Sequence, residues 1–128
     1  MGVVTAPDYV LLHAGTNDLY QLATASEAAG RLDSLIRSIA ARWPDTKILV
    51  ATIGPYTGAA YTQIPYMNSQ INAYNAHIMA LPCSHDNGEQ ITIVPIANML
   101  DTQTSDGIHP TTEGYRRIAR LWNQYMGG

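Results

Sequence analysis

Residues 9–14 read YVLLHA and residues 15–18 read GTND. The first stretch is a continuous apolar run without strict alternation of polar and apolar residues, which is typical of a parallel strand covered by helices on both faces. The second stretch is a polar turn with a glycine, placed where that strand ends. Ligands bind at the carboxyl ends of the strands in open α/β sheets. The two stretches therefore predict an α/β sheet with candidate functional side chains along one edge.

The rest of the chain continues the alternation of strands and helices. The predicted elements are helices over about 24–43, 66–81 and from 112 onward, and strands over 47–53 and 91–94. Thr24 and Glu27 have the spacing of a capping box, which predicts where the first helix begins. Helical spacing places Leu35 and Tyr115 on apolar stripes, so both are expected to be buried. Residues 54–65 are expected to form a loop.

Strands that alternate with helices imply a parallel sheet whose crossovers are right-handed. The chain has 128 residues, which is within the usual range for one domain. We therefore expect a single α/β domain over residues 1–128. Its predicted architecture is a three-layer α/β/α, flavodoxin-like arrangement around a parallel sheet of about three strands.

The composition excludes several classes of protein. The net charge is −3 with only 7 lysines and arginines, so there is no basic surface to attract nucleic acid. No apolar run reaches the roughly 18 residues of a membrane span, and the N-terminus lacks the pattern of a signal peptide. The single cysteine, Cys83, cannot form an internal disulfide. The sequence does not decide the cellular compartment. Secretion as part of a longer parent protein is one option.

A second polar motif, residues 105–110 (SDGIHP), lies near the C-terminus. In a turn, the carboxylate of Asp106 can accept a hydrogen bond from one ring nitrogen of His109. This bond fixes the tautomer of the imidazole and leaves the other nitrogen free to take a proton from a nucleophile. The alternative is a polar turn that only caps the next helix, because Asp-Gly is a common turn pair.

The turn at residues 15–18 offers a complementary group. The side-chain N–H of Asn17 can donate to the negative oxygen that develops when a carbonyl is attacked, and one such donor lowers the barrier by about 3–4 kcal/mol. Gly15 and Asp18 support the loop in this interpretation. The alternative is that Asn17 and Asp18 only satisfy the backbone of their own turn. Both polar motifs follow strands of a parallel sheet, so they are expected at the same edge.

The two motifs resemble those of the SGNH (GDSL-type) hydrolases. Residues 13–19 (HAGTNDL) are similar to the Gly-x-Asn-Asp block of that family. Residues 105–110, followed by Gly114 and Tyr115, are similar to its Asp-x-x-His-Pro block and the helix after it. The order of strands and helices also agrees with that family. The strongest resemblance is to carbohydrate esterases such as acetyl xylan esterases.

This resemblance implies an SGNH-type fold and an ester hydrolase that needs no cofactor. His109 would be the general base, Asp106 would orient it, and Asn17 would donate to the oxyanion. The substrate would be a small ester or an acetylated saccharide. Neither nucleic acid nor a membrane is expected as a partner.

The resemblance also implies a nucleophile that this sequence lacks. The family carries a serine in a Gly-Asp-Ser block near its N-terminus, followed by a second block that supplies a glycine N–H to the oxyanion hole. The serines of this chain stand in other contexts: Ser26, Ser34, Ser38, Ser69, Ser84 and Ser105. The chain therefore matches the C-terminal part of the family domain, and no nucleophile is identified. We expect little or no esterase activity from it alone, unless His109 activates water by a weaker route.

The apolar strand predicted at residues 9–14 has a further consequence. The resemblance places an earlier strand beside it, and this chain contains no such strand. An unpaired apolar strand edge favours association with another chain. We therefore expect Tyr9–Ala14 to pair with a second copy, as a homodimer, or with a polypeptide that carries the missing N-terminal segment.

Two other functions remain open at the level of the sequence. One is a non-catalytic carbohydrate-binding or interaction module of the same fold, in which Tyr56, Tyr61 and Tyr66 stack on sugar rings. The other is a metal site, for which the candidate ligands are His13, His77, His85 and His109. No pair of these histidines has the short spacing typical of metal ligands, so no metal is expected.

Overall fold

The computed structural model describes residues 5–85, 88–99 and 106–127. The strands are β1 (Tyr9–Leu12), β2 (Lys47–Ala51) and β3 (Ile91–Val94). The helices are α1 (Thr16–Tyr20), α2 (Ala25–Arg42), α3 (Gly58–Gln63), α4 (Tyr66–Ser84) and α5 (Thr112–Tyr125). Two short 3-10 turns, Gly88–Gln90 and Ile96–Met99, flank β3.

The three strands form one parallel sheet in the order β1-β2-β3. Val10 lies opposite Ile48, and Ile48 lies opposite Ile91. Long helices connect the strands, as the sequence predicts. The expected α/β fold with a parallel sheet is confirmed.

The central strand, β2, is buried on both faces. Ile48 and Val50 pack into the larger core cluster, which α2 and α4 complete with Ile36 and Met67 among others. Leu49 belongs to a second cluster on the opposite face, to which α5 contributes Ile118. A sheet between two helical layers explains why β2 has no polar alternation.

Strand β1 has one open edge. The Lys47 N–H donates to the Asp8 carbonyl at 3.0 Å. Because backbone groups alternate in direction along a strand, those of Tyr9 and Leu11 point away from β2. Within the described ranges, no strand pairs with this edge, and the side chain of Leu11 is 42% exposed. In the described part of the chain, this apolar strand is therefore only half covered.

Some local expectations are wrong. The predicted turn and loop contain the short helices α1 and α3, and α4 runs three residues past its predicted end at 81. Pro82 lies inside the last turn of α4, where it cannot donate the backbone N–H that a helical residue normally gives to the carbonyl four positions earlier. Leu35 and Tyr115 are exposed rather than buried, at 47% and 54%. On α5 the face toward the sheet keeps the predicted Ile118 but includes Gly114, which is buried, instead of Tyr115.

The capping box is confirmed, since the Thr24 hydroxyl accepts from the Glu27 N–H and the Thr24 N–H donates to the Glu27 carboxylate, both at 3.1 Å. None of the helices that the structure describes is long and apolar enough to span a membrane.

Gly15 joins β1 to α1 with a backbone that favours glycine. Its φ is +130°, and a Cβ at this position would lie 2.5 Å from the ring of Tyr74. The Tyr74 ring is buried, and its hydroxyl donates to the Ala14 carbonyl at 2.8 Å. Burial and the nearby Asp18 raise the pKa of Tyr74 to about 12, so it remains a hydrogen-bond donor. The ring cannot move aside without losing this bond.

We predict that Gly15→Ala lowers the free energy of unfolding by about 2–4 kcal/mol, from backbone strain and overpacking. The matched control is Gly30→Ala in α2, where an added Cβ meets nothing within 4 Å. The control should raise the free energy of unfolding by up to ~1 kcal/mol, because alanine favours helix. Guanidinium denaturation monitored by circular dichroism measures both. Equal stabilities for the two variants would contradict the assigned contact with Tyr74.

Candidate active site

Asp106 and His109 form a hydrogen-bonded pair in the loop before α5. One carboxylate oxygen of Asp106 accepts the backbone N–H groups of Ile108 and His109, at 2.9 and 2.6 Å. The other oxygen lies 2.8 Å from Nδ1 of the His109 ring. The two interpretations of the sequence motif are therefore compatible, because the same carboxylate shapes its own turn and contacts the imidazole.

These bonds explain the electrostatics of the pair. The backbone N–H and the ring of His109, with the backbone N–H of Ile108, hold the pKa of the Asp106 carboxyl well below its usual range. An ionised carboxylate can only accept, so Nδ1 of His109 carries the proton that is shared with it. The second ring nitrogen, Nε2, is then an acceptor that is able to take a proton.

The loop itself is held from two sides. The Thr57 N–H donates to the Gly107 carbonyl at 2.8 Å, which ties the loop to the segment after β2. Gly107 has φ +84°, and a Cβ there would lie 2.2 Å from the Thr57 carbonyl oxygen. On the other side, the Thr111 hydroxyl accepts the Gly114 N–H at 3.1 Å and caps α5. A glycine is required at 107 by both its conformation and this close contact.

Asn17 lies in the first turn of α1, directly after Gly15 and Thr16. Its side chain is exposed and has no hydrogen-bond partner in the described part of the chain. The alternative in which the Asn17 side chain satisfies its own turn is therefore not what the structure shows. Asp18 has a different contact, since its carboxylate lies 3.5 Å from the guanidinium of Arg31. Both groups of that ion pair are well exposed, so it stabilises the loop only slightly.

Tyr56 lies next to the Asp106 loop and the start of α4. The bond from the Thr57 N–H to the Gly107 carbonyl places it beside the loop, and the Asn68 side chain of α4 accepts the Tyr56 N–H at 2.7 Å. Burial raises the pKa of the Tyr56 phenol, and charge interactions with Tyr20, Tyr66 and Asp106 raise it further. Tyr56 is buried, which is against the expectation that it stacks on sugar rings, whereas Tyr61 and Tyr66 are exposed. The sequence gives no signal for Tyr20, because residues 15–18 are predicted as a turn rather than as the start of a helix.

The described serines do not complete a triad. Ser26, Ser34 and Ser38 lie in α2, Ser69 and Ser84 lie in α4, and Ser105 lies outside the described residues. The hydroxyls of Ser38 and Ser84 donate to carbonyls of their own helices. Where the structure places serines, none of them donates to His109.

The histidines form no common metal site within the described residues. His85 is nearly buried and its Nε2 lies 2.5 Å from the carboxylate of Asp33, which also contacts Arg37. This cluster joins the end of α4 to α2. In the described ranges 5–85, 88–99 and 106–127, no group of three or more His, Cys, Asp or Glu side chains could hold a metal ion.

Comparison with known proteins decides the family. The model of the GDSL-like lipase/acylhydrolase family matches residues 3–117, which is most of the chain. The chain belongs to this family. The assignment of the sequence motifs to SGNH (GDSL-type) hydrolases is thus confirmed. The search of curated proteins gives no match.

Solved structures agree with this family assignment. A Streptococcus pneumoniae protein, provisionally described as a platelet activating factor, superposes with TM-score 0.80 at 28% identity, over 94% of this chain and 60% of that one. A family 3 carbohydrate esterase of Clostridium thermocellum gives TM-score 0.70 at 26% identity, over 92% and 55%. One from Talaromyces cellulolyticus shares the fold, with TM-score 0.76 at 24% identity, over 95% and 58%. The chain spans about three fifths of the length of these structures.

We predict that the Asp106 carboxyl titrates well below the ordinary value of about 4 for aspartate. Its folded pKa is lower than its unfolded pKa, so its contribution to stability is fully present above pH about 4. That contribution is lost as the pH falls through the lowered folded value. A ¹³C NMR titration of side-chain carboxyls measures this directly, with the urea-unfolded chain as the control. An Asp106 that titrates at the same pH in the folded and the unfolded chain would mean that the three hydrogen bonds do not persist in solution.

Proposed function

We propose that this chain provides the general base and the oxyanion-hole donor of a carboxylic ester hydrolase that works through a serine. The observation that carries the proposal is the 2.8 Å contact between Asp106 and Nδ1 of His109, in a family of acylhydrolases. The contact leaves Nε2 of an exposed imidazole available for proton transfer.

The proposed reaction is acyl transfer in two steps. His109 Nε2 takes the proton of the serine hydroxyl as its oxygen attacks the ester carbonyl. The carbonyl oxygen becomes negative and accepts a hydrogen bond from the Asn17 side chain. The intermediate then releases the alcohol, which receives the proton from His109, and an acyl-serine remains. Water, deprotonated by His109, then attacks the acyl-serine. The bond to the serine oxygen breaks, the acid is released, and the serine oxygen takes the proton back from His109.

Acetylated carbohydrate is the substrate class that we propose. A family 3 carbohydrate esterase from Clostridium thermocellum is among the structures that superpose on the chain. The exposed tyrosines near the Asp106 loop are compatible with a sugar ring, since a phenol has an apolar face and a polar end.

The serine would come from a segment that pairs with the open edge of β1. The matched structures are longer than this chain, which spans 60% of the first of them. The edge has outward backbone groups and the half-exposed side chains of Tyr9 and Leu11. A parallel strand that docks there would lie next to β1, and its carboxyl end would lie beside Gly15 and Asn17. Without such a segment, two copies of the chain would associate through the same edge.

A non-catalytic binding module is the competing function. It is favoured by the lack of a contact between His109 and any serine within the described ranges. The two functions differ in one measurable property, which is whether hydrolysis appears when the remaining segment of the family fold is supplied.

The test supplies that segment from the Streptococcus pneumoniae protein, first as a fusion in front of this chain. We predict that the chain alone hydrolyses p-nitrophenyl acetate little above background and that the fusion does so readily. His109→Ala in the fusion should lower kcat by about 10³-fold, because the general base is lost. His77→Ala, an exposed histidine of α4, is the matched control and should have no effect. Hydrolysis that survives His109→Ala would exclude the proposed base.

The same segment, produced as a separate polypeptide, tests the β1 edge. Leu11→Lys should prevent recovery of activity on mixing, because a charge on an edge strand opposes pairing. Leu35→Lys changes a leucine of similar exposure on α2, at 47% against 42%, and should leave recovery intact. If both variants recover activity equally, β1 is not the docking edge. Strong hydrolysis by the unmixed chain would show that the nucleophile lies within it.

A further inference from the structure

Two large aromatic side chains remain exposed near the Asp106–His109 pair. Tyr20 ends α1 with 55% of its surface exposed, and Tyr66 begins α4 with 46% exposed. Neither contributes to the core clusters of the fold. Exposed aromatic side chains that lie close together form the kind of apolar patch that marks a binding site rather than an inert surface.

Tyr66 is joined to the Asp106 loop by a short series of hydrogen bonds. Asn68, in the same helical turn, accepts the Tyr56 N–H at 2.7 Å and donates to the Tyr56 carbonyl at 2.9 Å. The next residue, Thr57, donates its N–H to the Gly107 carbonyl at 2.8 Å. Because both links are short, the start of α4 has a fixed position relative to the Asp106 turn.

Tyr20 has a fixed position relative to Asn17. The two residues are three apart in the same helix, which corresponds to about 4.5 Å along its axis. The helix is anchored by the buried side chain of Leu19 and by the Leu19 N–H, which donates to the Gly15 carbonyl at 3.1 Å. Tyr20 therefore lies beside the proposed oxyanion-hole donor, as Tyr66 lies beside the loop of the base.

The helix that ends with Tyr20 also lies beside the start of α4. The Ala25 N–H, five residues after Tyr20, donates to the Gln70 side chain at 3.0 Å, and Gln70 lies one turn after Tyr66. Leu19 and Met67, the sequence neighbours of the two tyrosines, belong to the same core cluster. Burial raises the pKa of the Tyr56 phenol, and charge interactions with both tyrosines add to it, in agreement with this arrangement.

Leu22, two residues after Tyr20, is a second exposed apolar side chain. Leu22 has φ +69°, which is uncommon for leucine, and most of its surface is exposed. Tyr20 and Leu22 thus give the end of α1 an apolar surface.

We propose that Tyr20 and Tyr66 form an aromatic platform that binds a pyranose ring of the substrate next to Asp106 and His109. A phenol ring offers a flat apolar face for the C–H groups of a sugar and a hydroxyl for its polar edge. The platform would recognise neutral saccharides, since neither tyrosine brings a charge. This inference rests on the proposed function for its substrate class, but binding requires neither the serine nor turnover.

The test is a titration of this chain with xylotriose, followed by NMR chemical shifts or calorimetry. The wild-type chain should bind saturably. Tyr20→Ala and Tyr66→Ala should each raise Kd by about tenfold or more, the loss expected for one stacked ring. Tyr20→Phe and Tyr66→Phe keep the ring and should stay within about threefold of the wild type. Tyr115→Ala, which removes a tyrosine of equal exposure on α5, at 54%, should leave Kd unchanged.

Several results would overturn the platform. They are the absence of saturable xylotriose binding, alanine variants that bind as well as the wild type, and equal loss in Tyr115→Ala. Binding of octanoate at the same tyrosines in place of xylotriose would also overturn it, because it would indicate an acyl-chain site. Hydrolysis is measured separately, in the fusion with the Streptococcus pneumoniae segment. A failure of the esterase proposal alone therefore shows as missing hydrolysis with saccharide binding preserved.

Discussion

Three hydrogen bonds to the carboxylate of Asp106 determine the geometry of the candidate site. Two come from the backbone of its own turn and one from the ring of His109. Bonds to an ionised acceptor are stronger than neutral ones, so a largely exposed turn can still hold an imidazole in one orientation. Gly107 allows the turn, and the Thr57 N–H attaches it to the segment after the central strand. The position of the His109 imidazole thus depends on a local turn and on the hydrogen bond that joins this turn to the segment after β2.

The open edge of β1 is the second constraint on the site. Whereas hydrogen bonds hold the Asp106 turn, no described strand pairs with this edge. Among the strands that the structure describes, β1 pairs only with β2, although its sequence is as apolar as that of a central strand. The first structure that the chain matches is longer, and the chain covers 60% of it. The proposed function links this edge to His109, because a segment that pairs with β1 would bury the edge and would bring a serine towards the imidazole.

Much of this could be predicted from the sequence, because buried strands and capped helices leave local signals. The apolar runs gave the three strands of the parallel sheet, and the Thr24–Glu27 spacing gave the start of α2. The exposure of Leu35 and Tyr115 could not be predicted, because periodicity identifies a stripe but not which part of it a narrow sheet covers. The neighbourhood of Tyr20, Tyr56 and Tyr66 also required the structure, since these residues come from three separate segments. The Asp106–His109 pair could be predicted from the sequence, because both residues lie within one turn.

The tautomer of His109 can be measured in solution. A ¹⁵N NMR spectrum of the neutral imidazole shows which ring nitrogen carries the proton. We expect Nδ1 to carry the proton, facing Asp106, and Nε2 to be bare. Asp106→Asn should move the proton to Nε2, because an amide can donate to Nδ1. A neutral His109 with its proton mainly on Nε2 in the unmodified chain would contradict the assignment of this residue as a general base.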